Sequence, residues 1–533
     1  MRFTGFSGKI RGCEKMLRTV LARAQKRKGP QMKHLSFKNF SKSTIIGLFA
    51  ITISLTAAET ETEYLAIFMQ GQKIGHAVHT RMAESGNVTT TDSVSMTLGR
   101  GGQAVTVTTR ETHVETADGR PLGFESTMNM SGIEQKTTGT VQDGKAVISR
   151  QVMGQPQQST VDWPAGALLN EGLRLFQLEQ GLTPGDIYEA SVFRPDMLMA
   201  VKAKIEVGQK KKMELLFGKF QDLTEVKMTM LVQGQQIAMT SYVDEQLKAI
   251  KTIVPMMGMT LELVACDESF SKSDNAIVDF LEKFSVASPV KLMGLHSIES
   301  AVYTLKPTTA NTLQLPVSST QTAAMDGDNA IVTVTKIPMP PNVVFPYTGS
   351  EPEVLDALKE TDYIQCTDPT VIDLATHAVA DANDAASAAR QIEAFVDGYI
   401  TQKDMSVGYA SAAEVAQSRK GDCSEHAVLA AAMCRAVGIP ARVVCGVVYA
   451  DSFMGQQSIF GGHMWAEVYL DGQWCGLDAT RSEQQGFGPG HIALARGNGD
   501  PVDFFGLIHT LGCFEIEKIT LNKKKQNDNT IEP

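Results

Sequence analysis

The stretch Arg419 to Ala427 reads RKGDCSEHA and sets a cysteine directly behind a Gly-Asp pair at the mouth of an alanine-rich run. Asp422 is a good helix N-cap, and Glu425 stands three residues on, the capping-box spacing with Asp in place of Ser or Thr. Ala427 to Val437 supplies strong helix formers, Gly438 is placed for a left-handed cap and Pro440 forbids continuation. The chain then enters a β-branched run, ARVVCGVVYA, which reads as a buried strand. Cys423 therefore falls on the first turn of a helix, beside unsatisfied N–H groups and the positive end of the macrodipole. That setting favours thiolate over thiol and draws the pKa below the ordinary ~8.5. A thiolate there is a nucleophile if another residue can serve as its base.

GGHMWAEVYLDGQWCGLDAT supplies one. Two alternating runs are joined by Asp471-Gly472, a type I′ hairpin signal that pairs Leu470 with Gln473. Extending the register sets Trp465 opposite Asp478 and His463 opposite Thr480. His463, Trp465 and Asp478 then share one face, and Met464, Ala466, Val468, Leu470, Cys475 and Leu477 the other. His463 and Asp478 become diagonal neighbours, about 7–8 Å apart at Cα, so nucleophile, base and orienting carboxylate can meet. Other readings of these residues are weaker. Cys423, His426, Cys434 and Cys445 are zinc-ligand types, but their spacing is not that of a zinc knuckle and Cys434 sits among apolar helix residues. His426, one turn from Cys423, has no evident orienting carboxylate and reads as structural, and Glu467 reads as solvated or paired.

These motifs resemble the transglutaminase-like core shared by transglutaminases, bacterial cysteine peptidases and peptide N-glycanases. The resemblance rests on GDCSEHA with its alanine-rich helix, GHMWAEVYLDGQW and LDAT, and spans roughly residues 365 to 500. It implies a papain-like α+β fold, with the cysteine helix packed on an antiparallel sheet. It also implies Cys423 as nucleophile, His463 as general base and acid, and Asp478 as the residue orienting the imidazole. The segment GPGHIALARG, Gly488 to Gly497, follows the aspartate as a similar one does in bacterial members; it supports the boundary and gives His491 no role. The chemistry implied is acyl transfer through a thioester on a protein or peptide amide. The Cys423 N–H is one oxyanion donor, Tyr409 and Gln417 are candidates for a second, and Trp465 for lining the acyl cleft. No metal or other cofactor is implied. Hydrolysis is favoured over transamidation, because water reaches an unshielded thioester and Trp465 is the one obvious shielding aromatic on the triad face. The alternatives are a protein-glutamine γ-glutamyltransferase that crosslinks, and a non-catalytic binding or scaffold protein on the same core.

The elements that must position these residues lie in a 533-residue chain, 43% hydrophobic and 20% charged, enough for two or three domains. Residues 1–58 carry twelve Lys/Arg against one acidic residue, so the overall −10 leaves −21 on the other 475. An acidic remainder excludes nucleic acid and anionic membrane surfaces as expected partners. The basic opening ends in an apolar run, Ile45 to Leu55, too short to span a bilayer comfortably and followed by Thr56-Ala57-Ala58. It reads as a secretory signal, with Met32 a possible true start and cleavage before Glu59; the competing reading is an uncleaved anchor. The protein is thus expected to be exported, to the periplasm, cell envelope or medium, and to meet a membrane only through this segment. Seven cysteines follow Ala58, an odd number that leaves at least one thiol unpaired within the chain.

From Glu61 to about Phe270 short runs alternate apolar and polar residues, with Asp118-Gly119 and Asp143-Gly144 as hairpin signals. They predict an antiparallel, strongly curved sheet or partial barrel, crossed by a helix within Gly166–Gly181. His76, His79 and His113 stand singly on its strands and form no catalytic constellation. SKSDNAIVDFLEKF predicts a short helix, Ser297 to Lys336 a β stretch, and the proline cluster IPMPPNVVFPYTGSEP a boundary. The expected organisation is basic extension and signal, 1–58; β-rich domain, 59–285; β linker or pre-core segment, 286–350; transglutaminase-like core, 351–525; polar tail, 526–533. The fold class is α+β.

Overall fold

The computed structural model describes residues 59–523 apart from 101–102, 131–132, 153–154, 233–234, 280–283, 310–312, 404–408, 482–484, 500–502, 504–505 and 508. The segment read as a secretory signal and the polar tail lie outside the described residues. Among the described residues no helix is long and apolar enough to cross a membrane.

The N-terminal half is one antiparallel meander. Its first strands are β1 (Glu59–Met69), β2 (Gln72–Glu84), β3 (Asn87–Arg100), β4 (Gln103–Thr116), β5 (Pro121–Met130), β6 (Ile133–Gln142), β7 (Lys145–Val152) and β8 (Gln155–Asp162). A short β9 (Ala167–Leu168) and helix α1 (Asn170–Gln180) lead into the second run. This comprises β10 (Ile187–Arg194), β11 (Met199–Glu214), β12 (Phe220–Val232), β13 (Gln235–Val243), β14 (Ala249–Met256) and β15 (Met259–Cys266). β15 pairs with β1, so the strands run from β8 to β1 and on from β15 to β9. In that order β5 and β10 are ten places apart, roughly 48 Å in a flat sheet. Yet the rings of Phe124 of β5 and Phe193 of β10 pack at 5.4 Å between centroids, and α1 touches both β4 and β10. The sheet therefore curls almost onto itself around α1, as the alternation predicts. Glu115 of β4 accepts the N–H groups of Glu171 and Gly172 at the helix start, at 2.7 and 2.9 Å. Glu171 pairs in turn with Arg81 and Arg174.

Asp143 and Gly144 have φ of 51° and 72° and form the two-residue turn expected between β6 and β7. Asp118-Gly119 does not. The Thr116 N–H donates to Arg120 O and the ladder resumes at Glu115 and Pro121, so the loop is longer, with Gly119 alone at positive φ. Pro121 has no N–H with which to close a tighter pair. The helix predicted in SKSDNAIVDFLEKF is also corrected. Asp267 caps a single turn, α2 (Glu268–Ser271), and β16 (Val278–Asp279) then pairs in parallel with β3, burying Val278. The edge of β3 outcompetes local helix preference there.

The C-terminal half has three layers. Helices α3 (Pro352–Asp356), α4 (Pro369–Ala378), α5 (Ala385–Tyr399), α6 (Ala412–Ser418) and α7 (Cys423–Ala436) cover one face of a sheet. That sheet is built from β17 (Val286–Ala287), β21 (Ala441–Phe453), β22 (Gln456–Leu470), β23 (Gln473–Leu477) and β24 (His491–Gly497), in the order β17-β22-β21-β24 with β23 also on β22. Its other face packs on a second sheet, made of β18 (Ile298–Pro307), β19 (Gln321–Asp326), β20 (Asn329–Thr335) and β25 (Phe514–Lys523). Residues 286–335, expected as a linker, are therefore built into the C-terminal fold. α7 is the central helix, buried from Ser424 to Arg435 and packed on β21 and β22.

Candidate active site

The nucleophile candidate stands where its helix begins. The Asp422 side chain accepts the Ser424 N–H at 3.1 Å and Glu425 accepts the Asp422 N–H at 2.9 Å, closing the capping box read from the sequence. Gly421 has φ 147°, and a Cβ there would come within 2.2 Å of Glu425 Cβ, so the residue before the cap has to be glycine. Fully buried Glu425 also accepts the Ala410 N–H at 3.0 Å, tying the chain ahead of α6 to the start of α7. Cys423 is half-buried at the rim of the apolar cluster under the helices. The described cysteines form no disulfides. Burial pushes the thiols of Cys434 and Cys445 far up, and that of Cys475 to about 11.

The base candidate sits on the strand against which α7 packs. The hairpin register is the one set by Asp471-Gly472, running from Leu470 opposite Gln473 to Ala466 opposite Leu477, with φ of 47° and 81° in the turn. Along the outer edge of β22, β17 pairs at Ile459 and Phe460 and β23 begins at Ala466. His463 falls in the interval between them, and Asp478, one residue past β23, turns into it. His463 Nε2 lies 2.8 Å from Asp478 Oδ2, with side chains 9% and 1% exposed. The other oxygen, Oδ1, accepts the Thr480 N–H at 3.0 Å and the Thr480 hydroxyl at 2.6 Å. Burial alone would raise the Asp478 carboxyl, but the His463 charge and the hydrogen bonds from the two imidazoles on Oδ2 outweigh it and hold the group well below the usual carboxylate range. An anionic Asp478 only accepts, so His463 Nε2 carries the proton and Nδ1 is left as the basic lone pair.

Three residues around this pair went unassigned in the sequence. His491, first residue of β24, sets its Nε2 2.9 Å from the same Asp478 Oδ2. Thr480 clamps Oδ1. Glu393 of α5 accepts the Asp478 N–H at 2.8 Å, and burial raises its carboxyl to about 7, with the Asp478 N–H bond opposing and the Asp478 charge adding. The sequence signals are faint: a Gly-Pro-Gly turn before His491, and a threonine two residues after an aspartate.

The secondary candidates fall elsewhere. Trp465 is 1% exposed and packs beneath the two imidazoles, its ring 6.1 Å from His463 and 5.1 Å from His491. It is a floor to the site rather than a wall of an open cleft. Gly446 makes room for it, since a Cβ there would meet Trp465 Cη2 at 2.8 Å and Ile492 O at 2.0 Å. The Tyr409 hydroxyl donates to Gly499 O at 2.7 Å and its ring lies on Tyr363. Gln417 is exposed on α6. His426 donates through Nδ1 to Asp422 O, a structural bond. Glu467 is fully buried and paired with Arg442 and Arg496.

Among the described residues the group with metal-ligand spacing is His463, Asp478 and His491, whose candidate ligand atoms lie within 4.8 Å of one another. Two N–H···O bonds account for that closeness without an ion. Beside His491 opens a cavity of about 480 Å³, lined also by Phe487, Tyr449, Leu295, Lys336 and Arg481.

Residues 372–479 match the family model of the transglutaminase-like superfamily. Among solved structures, a candidate cysteine protease from Cytophaga hutchinsonii is 17% identical, covering 42% of this chain and 88% of its own, with a TM-score of 0.29. A β-barrel-like protein of a domain of unknown function from Brucella abortus is 13% identical over 39% of this chain and 95% of its own, TM-score 0.30. A candidate protease from Parabacteroides distasonis is 13% identical over 66% of this chain and 64% of its own, TM-score 0.18. No curated protein matches.

Proposed function

We propose that the protein is a thiol hydrolase of protein or peptide amide bonds, working through Cys423, His463 and Asp478. The observation that carries this reading is the 2.8 Å contact between His463 Nε2 and Asp478 Oδ2, on a strand packed against the helix that Cys423 begins. The Cys423 thiolate attacks the amide carbonyl, and the oxyanion is held by the Cys423 N–H at the helix start. Protonated His463 gives its Nδ1 proton to the leaving nitrogen, the C–N bond breaks and a thioester remains. Water, deprotonated by His463, then attacks the thioester and releases the acid and the thiolate. Asp478 keeps the imidazole in one tautomer and stabilises its charged form.

Water rather than an amine is the proposed acceptor. Amine transfer requires a thioester shielded from bulk water, and Trp465, the aromatic nearest His463 on its face, is committed to packing beneath the imidazoles. The test is to incubate wild type and Cys423→Ala with glutamine-bearing peptides and an excess of a fluorescent primary amine. Release of free acid or cleaved peptide by wild type alone is expected; near-stoichiometric amine incorporation would move the reading to transamidation, and equal activity of the variant would end it. The same proposal has the protein acting outside the cytoplasm, so that the secreted chain begins at Glu59 on N-terminal sequencing; an intact N-terminus in the membrane fraction would indicate an anchor.

A further inference from the structure

His491 is a buried titratable group that the triad does not require. Its side chain is 4% exposed, its Nε2 lies 2.9 Å from Asp478 Oδ2, and its ring is 5.9 Å from that of His463. One carboxylate oxygen therefore serves two imidazoles. Since Asp478 only accepts, His491 must present Nε2–H to it. Its Nδ1 lies 3.2 Å from the Gly488 nitrogen and 3.0 Å from Gly488 O, so it accepts the Gly488 N–H when the imidazole is neutral and donates to the carbonyl when it is charged. Burial, partly opposed by the Asp478 hydrogen bond, lowers the His491 pKa and so favours the neutral Nε2–H form, which accepts from Gly488.

Building on the triad reading above, we propose that His491 is a positioning residue for it, taking a share of Asp478 Oδ2 and so setting how strongly that carboxylate stabilises the His463 imidazolium. The geometry fixes the sign. Thr480 holds Oδ1 by two bonds, so Asp478 keeps its orientation if His491 loses its N–H. What changes is charge, because an N–H dipole aimed at Oδ2 points its positive end at His463 as well. Its removal leaves more of the carboxylate's field to His463 and makes the imidazolium harder to deprotonate. The other groups facing the pair stay in place: Arg481 beside His491, Glu393 with Arg390 and Lys336 behind Asp478, and His426 on α7.

The experiment needs no substrate. Iodoacetamide alkylation of Cys423 in the full chain is followed by mass across pH. A thiolate–imidazolium pair gives two inflections, the lower marking its formation and the upper the loss of the imidazolium proton. His491→Leu is expected to move the upper inflection up by roughly half a unit or more, and His491→Gln, which keeps an N–H donor in the same place, to return it towards wild type. A merely structural role would lower the melting temperature without moving that inflection. A folded His491→Leu protein with the upper inflection unmoved or moved down overturns the inference while leaving the triad. A single inflection in the ordinary thiol range for wild type removes the triad reading and this inference together. Should the leucine variant not fold, nitrogen-15 histidine spectra of wild type decide: the neutral Nε2–H tautomer at His491 is expected, and an Nδ1–H tautomer overturns it.

Discussion

Seven described cysteines share the chain, and what separates Cys423 from the other six is environment. Four of the others, Cys366, Cys434, Cys445 and Cys513, are buried in apolar surroundings that raise their thiols, as are Cys475 on β23 and, less deeply, Cys266. Cys423 is half-buried at a helix start, where N–H groups favour the thiolate. At pH 7, brief iodoacetamide treatment followed by peptide mass mapping is therefore expected to label Cys423 at least tenfold faster than any other cysteine. Comparable labelling of Cys434 or Cys445 in folded protein would contradict a tuned thiolate. Glu393 makes a second residue-level prediction. Its folded pKa, about 7, lies above its unfolded value, so the folded state binds the extra proton. Its contribution is greatest below the unfolded pKa near 4.5 and is lost as pH rises to about 7. Glu393→Gln, which keeps an oxygen for the Asp478 N–H, should therefore flatten the fall in melting temperature between those values and be the more stable protein at pH 8. A variant that falls as steeply as wild type would show that Glu393 is not the titrating group.

At the scale of elements, the parts of the site closest to one another in sequence were the most legible. The cap at Asp422, the helix from Cys423 and the hairpin turn at Asp471-Gly472 each have a local signature, because a cap or a two-residue turn is satisfied by residues three or fewer apart. Where a neighbouring element intervened, local reading failed. Val278 and Asp279 have apolar neighbours suited to a helix, but the open edge of β3 took them as a strand. Asp118-Gly119 resembles a hairpin turn, but Pro121 withholds the donor such a turn needs. Two substitutions test the elements that hold the site. Asp422→Ala removes the acceptor for the Ser424 N–H and is expected to cost about 1 kcal/mol of stability, read by urea denaturation. Gly472→Val forces a β-branched residue to φ 81° and should cost on the order of 1–3 kcal/mol, with urea denaturation as the measure. If it left the stability unchanged, the turn would not be what sets the register of β22 and β23.

For the whole molecule, the least legible features were those joined across the greatest separation in sequence. Nothing near Ile298 announces that β18 will lie between β20 and a strand more than two hundred residues on, β25. A pairing of that kind is encoded only in the fit of two alternating faces, and many faces alternate. His491 was missed at a shorter range, thirteen residues from Asp478, because no cap or two-residue turn links the two. The consequence expected is that the C-terminal half cannot be cut at the proline cluster, although the sequence invites it. Tyr303 and Leu305 of β18 and Val332 and Val334 of β20 are fully or almost fully buried, in one cluster with Val444, Trp465 and Ile492 of the sheet that carries the candidate site. Burial of side chains of this size is worth about 1.5–3 kcal/mol each, so losing four of them costs roughly 6–12 kcal/mol, as much as the ~5–15 kcal/mol by which a domain is ordinarily stable. Trp465 would also be bared, and with it the floor beneath His463 and His491. A chain of residues 351–523 is therefore expected to be insoluble or to show no cooperative melting and no selective labelling of Cys423, whereas residues 286–523 should melt cooperatively and keep that selectivity. Cooperative unfolding and fast Cys423 alkylation in the shorter chain would mean that the second sheet is an accessory to the layer that carries the candidate site and not part of its core.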